Sequence, residues 1–358
     1  MFYLPSKEEC DYIVENSKQF FRKDLVFEGK EIAIYHYKQG NFEEFKKFNA
    51  WELRALTFVK NGKNWERFLG IHKFFELNQA PGWMEEDVKN KKVIKVQEKV
   101  DGTLVQPILI DNKVYFKSKL TFDSLQAKNA QKIYENNKKL KEYVDKKLSE
   151  GKIPLFEYFS PITQVVMDYK KEKLILVQVR DLNTGEYDLD FEKEAKEYDI
   201  EVAPLCEPKP IKEYLEKRVS CYSKEGWIVI FEDMQFLKLK TDEYLKRHKV
   251  LGDLRENLII EHILDGKIDE IKKVLNKKSE KYLFVKEVEN KFNKKYKELE
   301  NKIKRALKMS KKEVKNKFSQ DKYYEIIALC KKKNSIEPLR EWVKNHTKKL
   351  KNAKKFLE

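Results

Sequence analysis

Val96-Gln97-Glu98-Lys99-Val100-Asp101-Gly102-Thr103 is a strand-like run that ends on a lysine and breaks into Asp-Gly. A lysine amine is a nucleophile only when neutral, and desolvation or nearby cations lower its pKa towards neutrality. Gly102 lets the backbone turn tightly and approach a ligand beside that amine. On its own, Lys-x-Asp-Gly is a weak signal, because lysine-rich chains produce it by chance and a surface strand end followed by a turn explains it. The neighbouring segments decide its weight.

On both sides the chain reads as short strands: EIAIYHY, ALTFV and RFLGIHKFFEL before it, then TLVQPILI, NKVYFKSKL, PLFEYFSP, TQVVMDY and KLILVQVRD after it. GWIVIF and QFLKLKT resume the pattern past residue 225. Val, Ile, Phe and Tyr bounded by Asn-Gly, Asp-Asn and Asn-Thr-Gly turns predict mostly antiparallel strands. Helices are expected over residues 1–23, where Ser6 and Glu9 have capping-box spacing, over 123–149 and near 190–198. They interrupt the strands without regular alternation, so the fold class is α+β rather than a doubly wound parallel sheet.

Four further segments bear chemistry in the same order along the chain. Lys117-Ser118-Lys119 ends a strand, and Phe156-Glu157-Tyr158 puts a carboxylate in an apolar strand where it is costly to bury unpaired. Glu225-Gly226-Trp227-Ile228-Val229 sets an acid immediately before a strand. Leu237-Lys238-Leu239-Lys240 alternates, so both lysines share one face. Taken singly, each is equally well an exposed edge or a solvated turn.

Together they resemble the lysine nucleotidyltransferases, and within them the bacteriophage RNA ligase 1 family of ATP-dependent RNA ligases. Trp51-Glu52-Leu53-Arg54-Ala55-Leu56-Thr57-Phe58, His72-Lys73-Phe74-Phe75-Glu76, Phe156-Glu157-Tyr158-Phe159-Ser160-Pro161 and Lys238-Leu239-Lys240-Thr241-Asp242-Glu243-Tyr244 carry the resemblance, which covers about residues 30–250. Two positions depart from the family pattern: Val100 follows Lys99 where a polar residue is usual, and Leu120 follows Lys119 where glycine is usual.

The resemblance implies that Lys99 forms a lysyl-AMP from ATP, passes the AMP to an RNA 5′-phosphate and lets a 3′-hydroxyl displace it. It implies phosphate-binding roles for Arg54, Lys73, Lys238 and Lys240, with these cations also holding Lys99 deprotonated. Lys119 would lie on the nucleoside side, and Glu157 would accept from the ribose hydroxyl. Phe75, Ile228 and the backbone around Glu98 are implied for the adenine pocket, with Gly102 at its turn. Tyr244 is a candidate to stack or to donate to phosphate, and Glu225 would help hold Mg²⁺, for which Mn²⁺ can substitute. A hard cation of this kind takes few protein ligands when it rides on phosphates.

Of 358 residues, 76 are Lys or Arg and 60 Asp or Glu, a net charge of +16. Residues 251–358 hold 31 of those cations and 17 of the acids, so +14 sits in the last third. There Phe292, Tyr296, Leu299, Ile303 and Leu307 repeat at helical spacing, Ser310 and Glu313 mark a helix start, and Pro338 opens the last expected helix. The expected organisation is an adenylyltransferase domain over 1–249 and a helical, lysine-rich RNA-binding domain over 250–358. The substrate is expected to be RNA with 5′-phosphate and 3′-hydroxyl ends, including cleaved tRNA. A DNA ligase or capping enzyme on the same core, and a non-catalytic basic RNA-binding protein, remain alternatives. No apolar run spans a membrane, the first residues lack signal-peptide features, and the four scattered cysteines fit a reducing cytoplasm. A cytoplasmic monomer is expected. No GxxxxGK[ST] occurs, which argues against a Walker-type ATPase.

Overall fold

The computed structural model describes residues 2–163, 166–167, 169–252 and 254–358. The chain divides into two compact units: Met1–Ser160 with Tyr169–Lys246, and Pro161–Asp168 with Arg247–Glu358. The division thus falls between Lys246 and Arg247, against the expected 249/250, and it gives the second unit a short insert from within the first.

Unit 1 begins with α1 (Lys7–Asn16), capped as the Ser6/Glu9 spacing predicts: the Glu9 amide donates to the Ser6 hydroxyl and the Ser6 amide to the Glu9 carboxylate. The helix ends before residue 23 because Phe20 is already a buried strand residue. Strands β1 (Phe20–Phe27), β2 (Lys30–Tyr37), β3 (Leu56–Asn61) and β4 (Asn64–Phe68) form an antiparallel meander, with α2 (Phe42–Phe48) between β2 and β3. A short β5 (Phe75–Glu76) and α3 (Glu85–Val88) lead to β6 (Val93–Lys99), the strand that carries the lysine.

The chain then turns through Gly102 into β7 (Thr103–Ile110) and β8 (Lys113–Lys117), followed by α4 (Leu125–Asn136) and α5 (Lys138–Ser149). These two helices replace the single one expected over 123–149; Asn137 caps the second by accepting from the Leu140 amide. Next come β9 (Lys152–Phe159) and β10 (Lys173–Asp181), and the second sheet has the order β10-β9-β7-β8. Of the stretch TQVVMDY, Gln164, Val165 and Asp168 lie outside the described residues; Thr163, Val166 and Met167 form bends rather than a strand. After α6 (Phe191–Glu197), β11 (Leu205–Cys206) and α7 (Ile211–Ser220), strands β12 (Gly226–Phe231) and β13 (Phe236–Lys240) complete a third sheet, ordered β11-β6-β12-β13-β5. Its β13–β5 pair is parallel; every other named strand pair is antiparallel.

One buried ion pair ties distant segments of this unit. Arg180 on β10 donates through both terminal nitrogens to Glu52, at 2.8 Å each, and also to the carbonyls of Gly70 and Gly185. A planar guanidinium with every arm satisfied is the form in which such a charge is tolerated in a core.

Past β13, α8 (Asp242–Gly252) crosses the division between the units. Unit 2 continues with α9 (Glu256–Leu264), α10 (Ile268–Val274), α11 (Glu280–Leu307), α12 (Lys311–Phe318), α13 (Tyr324–Lys333), α14 (Pro338–His346) and α15 (Leu350–Leu357). Apolar stripes from α11 (Phe292, Leu299, Ile303), α13 (Ile326, Ile327) and α14 (Leu339, Val343) are buried, and the lysines between them point outward. Ser310 and Glu313 form a reciprocal cap on α12. Pro338 opens α14, yet α15 follows and buries Phe356, so α14 is not the last helix.

Candidate active site

The strand order brings Lys99 and Gly226 opposite one another on β6 and β12, which places Glu225 beside the lysine. Lys99 Nζ donates to Glu225 Oε2 at 2.7 Å. Gly102 sits where a Cβ would come within 2.5 Å of the Tyr158 carbonyl, so only glycine lets this turn pass β9. Gly226 has φ +155° and equally no room, since a Cβ there would lie 2.1 Å from the Leu239 carbonyl.

A cavity of about 360 Å³ opens at this point. Arg54, Glu98, Lys99, Gly102, Lys119, Glu157, Ile228 and Lys238 all line it, drawn from β6, β9, β12, β13 and three connecting segments. Lys238 Nζ donates to the Phe74 carbonyl at 2.9 Å and stands 4.4 Å from the Phe74 ring centre. Glu98 is paired with Lys224 at 2.6 Å.

The other five residues implied by the resemblance lie off the cavity wall. Glu225 stands beside the wall, held by Lys99. Tyr244 donates its hydroxyl to Asp101 at 2.8 Å, and Lys240 is held by Glu76 at 2.6 Å. Phe75 does not line the cavity: it is fully buried in the core, and Phe74 takes the place expected of it. Phe75 opens β5 on its buried face, whereas Phe74 precedes the strand and packs with Tyr187, Ile230 and Phe236. Lys73 follows Phe75 onto that face, its Nζ 3.7 Å from the Phe75 ring centre and donating to the Phe74 carbonyl at 3.3 Å. Burial, with Arg54 nearby, pushes the Lys73 amine down to about 8.

The electrostatics of Lys99 also differ from expectation. Burial by itself favours the neutral amine, but Glu225 and Glu157, the Glu225 hydrogen bond and Asp101 outweigh it and hold the ammonium above the ordinary lysine range. The cations gather elsewhere on the wall. Lys238 is driven well below the ordinary range by burial and by Arg54, Lys73 and Lys99, and Lys119 is lowered by burial and Arg54. Glu157 is pushed up to about 7 and Glu225 is raised, each first by burial. Burial outweighs the Lys99 charge at both carboxylates, and a divalent cation held by one or two of them and by substrate phosphates would fit there. Among the described residues no group of three or more His, Cys, Asp or Glu side chains surrounds a metal position.

Several residues in and around the site were given no role by the sequence. Lys117, fully buried, donates to the Ser118 and Lys119 carbonyls at 3.1 and 3.2 Å and so braces the segment that presents Lys119. Burial pushes its amine down to about 7. Gln97, Gln106 and Gln178 line the cavity and are buried, and neither Gln106 Nε2 nor Gln178 Oε1 has a hydrogen-bond partner. A signal was present for two of them: Gln106 in TLVQPILI and Gln178 in KLILVQVRD are uncharged polar residues among apolar strand neighbours, whereas Gln97 in VIKVQEK sits among charges and gives none.

The sequence profile of the RNA ligase family matches residues 52–245, more than half of the chain. The chain belongs to the RNA ligase family. A candidate RNA ligase of Thermovibrio ammonificans is 33% identical over 175 residues, which span 49% of this chain and 44% of that relative. An archaeal ATP-dependent RNA ligase structure shares the fold at a TM-score of 0.50 and 13% identity, covering 72% of this chain and 65% of that one. A candidate ATP-dependent DNA ligase from Aquifex aeolicus is similar at a TM-score of 0.47 and 13% identity, over 73% of this chain and 66% of that one. The fold of this RNA ligase family member is therefore the mixed α+β architecture expected, with antiparallel sheets and a helical C-terminal region. No helix among the described residues is long and apolar enough to cross a membrane.

Proposed function

We propose that the protein is an ATP-dependent RNA ligase that joins 5′-phosphate to 3′-hydroxyl ends through a covalent lysyl-AMP. The observation that carries this is Lys99 at the mouth of a turn that only glycine permits, paired with Glu225 at 2.7 Å and sharing one cavity with Arg54, Lys119 and Lys238. In the first step a P–N bond forms between Lys99 Nζ and the α-phosphorus of ATP while the P–O bond to pyrophosphate breaks. Lys99 must shed a proton before it attacks, and Glu225 is within hydrogen-bond reach to take it. The AMP then moves to the RNA 5′-phosphate, Lys99 recovering its electron pair, and the 3′-hydroxyl finally displaces AMP.

Each step is phosphoryl transfer, in which positioning and charge stabilisation supply most of the acceleration. Arg54, with its planar fork, suits two phosphate oxygens at once, and Lys238 faces the same cavity as a point charge. We assign Glu157 the ribose hydroxyl, from which its carboxylate would accept a hydrogen bond. Glu225, with Glu157 near, is the carboxylate to hold Mg²⁺, or Mn²⁺ in its place. When bound, such a cation neutralises phosphate oxygens. Unit 2 carries the positive excess, and we assign it the recognition of RNA shape through phosphate contacts, with a cleaved tRNA stem-loop as a fitting substrate.

Incubation with α-labelled ATP and Mg²⁺ tests the reading, followed by 5′-phosphorylated RNA and DNA strands. A protein-bound AMP label that Lys99→Ala abolishes, with RNA ends joined in preference to DNA, is the expected result. Labelling from GTP alone points to a capping enzyme, and no label at all to a binding protein.

A further inference from the structure

Three buried strand positions around the cavity carry glutamine, and one of them has its orientation decided by its neighbours. The amide ends of glutamine are interchangeable in shape, so orientation follows from hydrogen bonding. Ala203 supplies a carbonyl that only a donor can meet, and Gln97 Nε2 turns to it at 3.5 Å. Gln97 Oε1 is then left to accept, and Gln178 Nε2 donates to it at 3.3 Å. Gln178 Oε1 is what remains: an acceptor on a residue only 3% exposed, lining the cavity without any partner. Flipping the pair would set Gln97 Oε1 against the Ala203 oxygen, two acceptors facing one another.

The backbone is built to hold this relay. The pairing of β10 with β9 slips between Leu176 and Gln178, a bulge that turns both Val177 and Gln178 towards the cavity where plain alternation would show only one. The segment bearing Ala203 is clamped to both glutamine strands: Ala203 N–H donates to Leu176 O at 2.9 Å, and Glu98 N–H to Pro204 O at 2.7 Å. An unpaired acceptor at this depth is costly unless a ligand donor meets it.

We propose that Gln178 Oε1 is the base-selecting group of the site, accepting a hydrogen bond from the exocyclic 6-amino group of adenine, and that the Gln97–Ala203 relay positions it so that a 6-oxopurine is refused. This rests on the proposed nucleotide-dependent ligation and names what sets its base preference. A 6-amino group donates where guanine or hypoxanthine presents an oxygen, which would meet Gln178 oxygen to oxygen. A purine lacking any 6-substituent would leave the acceptor unpaired.

The test measures formation of the protein–nucleotide adduct by mass spectrometry, on the full chain with Mg²⁺, using ATP, purine riboside triphosphate (no 6-substituent) and inosine triphosphate (6-oxo). Wild-type protein should prefer ATP over purine riboside triphosphate by roughly tenfold to a hundredfold in kcat/KM, the usual consequence of leaving a buried acceptor unmet. Gln178→Met should bring those two rates together. Gln97→Met should instead free Gln178 to flip, so that inosine triphosphate gains on ATP while ATP is still used. Equal wild-type rates with ATP and purine riboside triphosphate would overturn the proposal without any variant, as would a Gln178→Met protein that keeps the wild-type ratio. Failure of the underlying reading looks different, since no triphosphate would then modify the wild-type chain.

Discussion

The two units hold positive charge in opposite ways. Unit 1 comes from a stretch that is nearly neutral, yet several of its cations are buried: Arg180 at 0% exposure, Lys117 at 0% and Lys73 at 4%. Unit 2 carries most of the excess, but its lysines lie largely on helix surfaces, as on α12, where Lys311, Lys312, Lys315 and Lys317 are all exposed. A buried charge interacts strongly and in one geometry, whereas a solvated one acts weakly and through numbers. The number of charges is therefore a poor guide to where chemistry happens.

The sharpest way to break that contrast is Lys99→Arg. It keeps the charge beside Glu225 but cannot become neutral, so lysyl-AMP formation and sealing should both vanish in an α-label assay. Any retained self-labelling would remove Lys99 from its role. Next in size is the buried pair. Arg180→Met leaves Glu52 buried without its partner and should cost about 3–5 kcal/mol in denaturant unfolding. A loss below ~1 kcal/mol would mean the interior of unit 1 treats charge as leniently as the surface of unit 2.

Lys238→Ala removes a cation that lines the cavity and should slow lysyl-AMP formation by roughly 10²–10³, by analogy with the loss of an oxyanion donor. Lys240→Ala should cost less, because Lys240 is engaged by Glu76 off the cavity wall. Equal losses would show that the pairing with Glu76 breaks when substrate binds.

A gentler effect comes from pH. With Lys99 held above the ordinary lysine range by its acids, kcat/KM for adduct formation should climb as pH rises and the neutral fraction grows. Glu225→Gln removes the nearest negative charge and the proposed proton acceptor, so adduct formation should slow and its rising limb should move to lower pH as the Lys99 pKa falls. An unmoved limb would mean that another group limits the rate.

The smallest effects belong to unit 2. Replacing Lys311, Lys312 and Lys315 by Gln should leave lysyl-AMP formation untouched and make RNA binding less salt-dependent, by roughly 0.7–0.9 log units per log unit of salt for each phosphate that is no longer neutralised. An unchanged slope would make α12 a merely solvated face. The exposed Lys291–Glu287 pair on α11, at 2.7 Å, should contribute no more than about 0.5 kcal/mol.

The sequence by itself determined the local order of this protein. Alternation and turn residues specified most strands of unit 1, helical spacing specified α11 to α14, and the capping boxes at Ser6 and Ser310 located two helix starts. The in-order segments from Arg54 to Tyr244 also brought the site's residue types into view. Phe20 misled because one aromatic fits a helix stripe and a strand equally, and only pairing with β2 decides between them. Tertiary structure alone decided which face each residue shows. It put Phe74 in the cavity and Phe75 in the core, gathered Glu225, Glu157 and Asp101 around Lys99, and let a bulge in β10 aim Gln178 inward. These outcomes depend on strand register and on charges brought together from segments far apart in the chain. Neither is encoded within a single short window, because a one-residue slip in pairing turns every side chain to the opposite face.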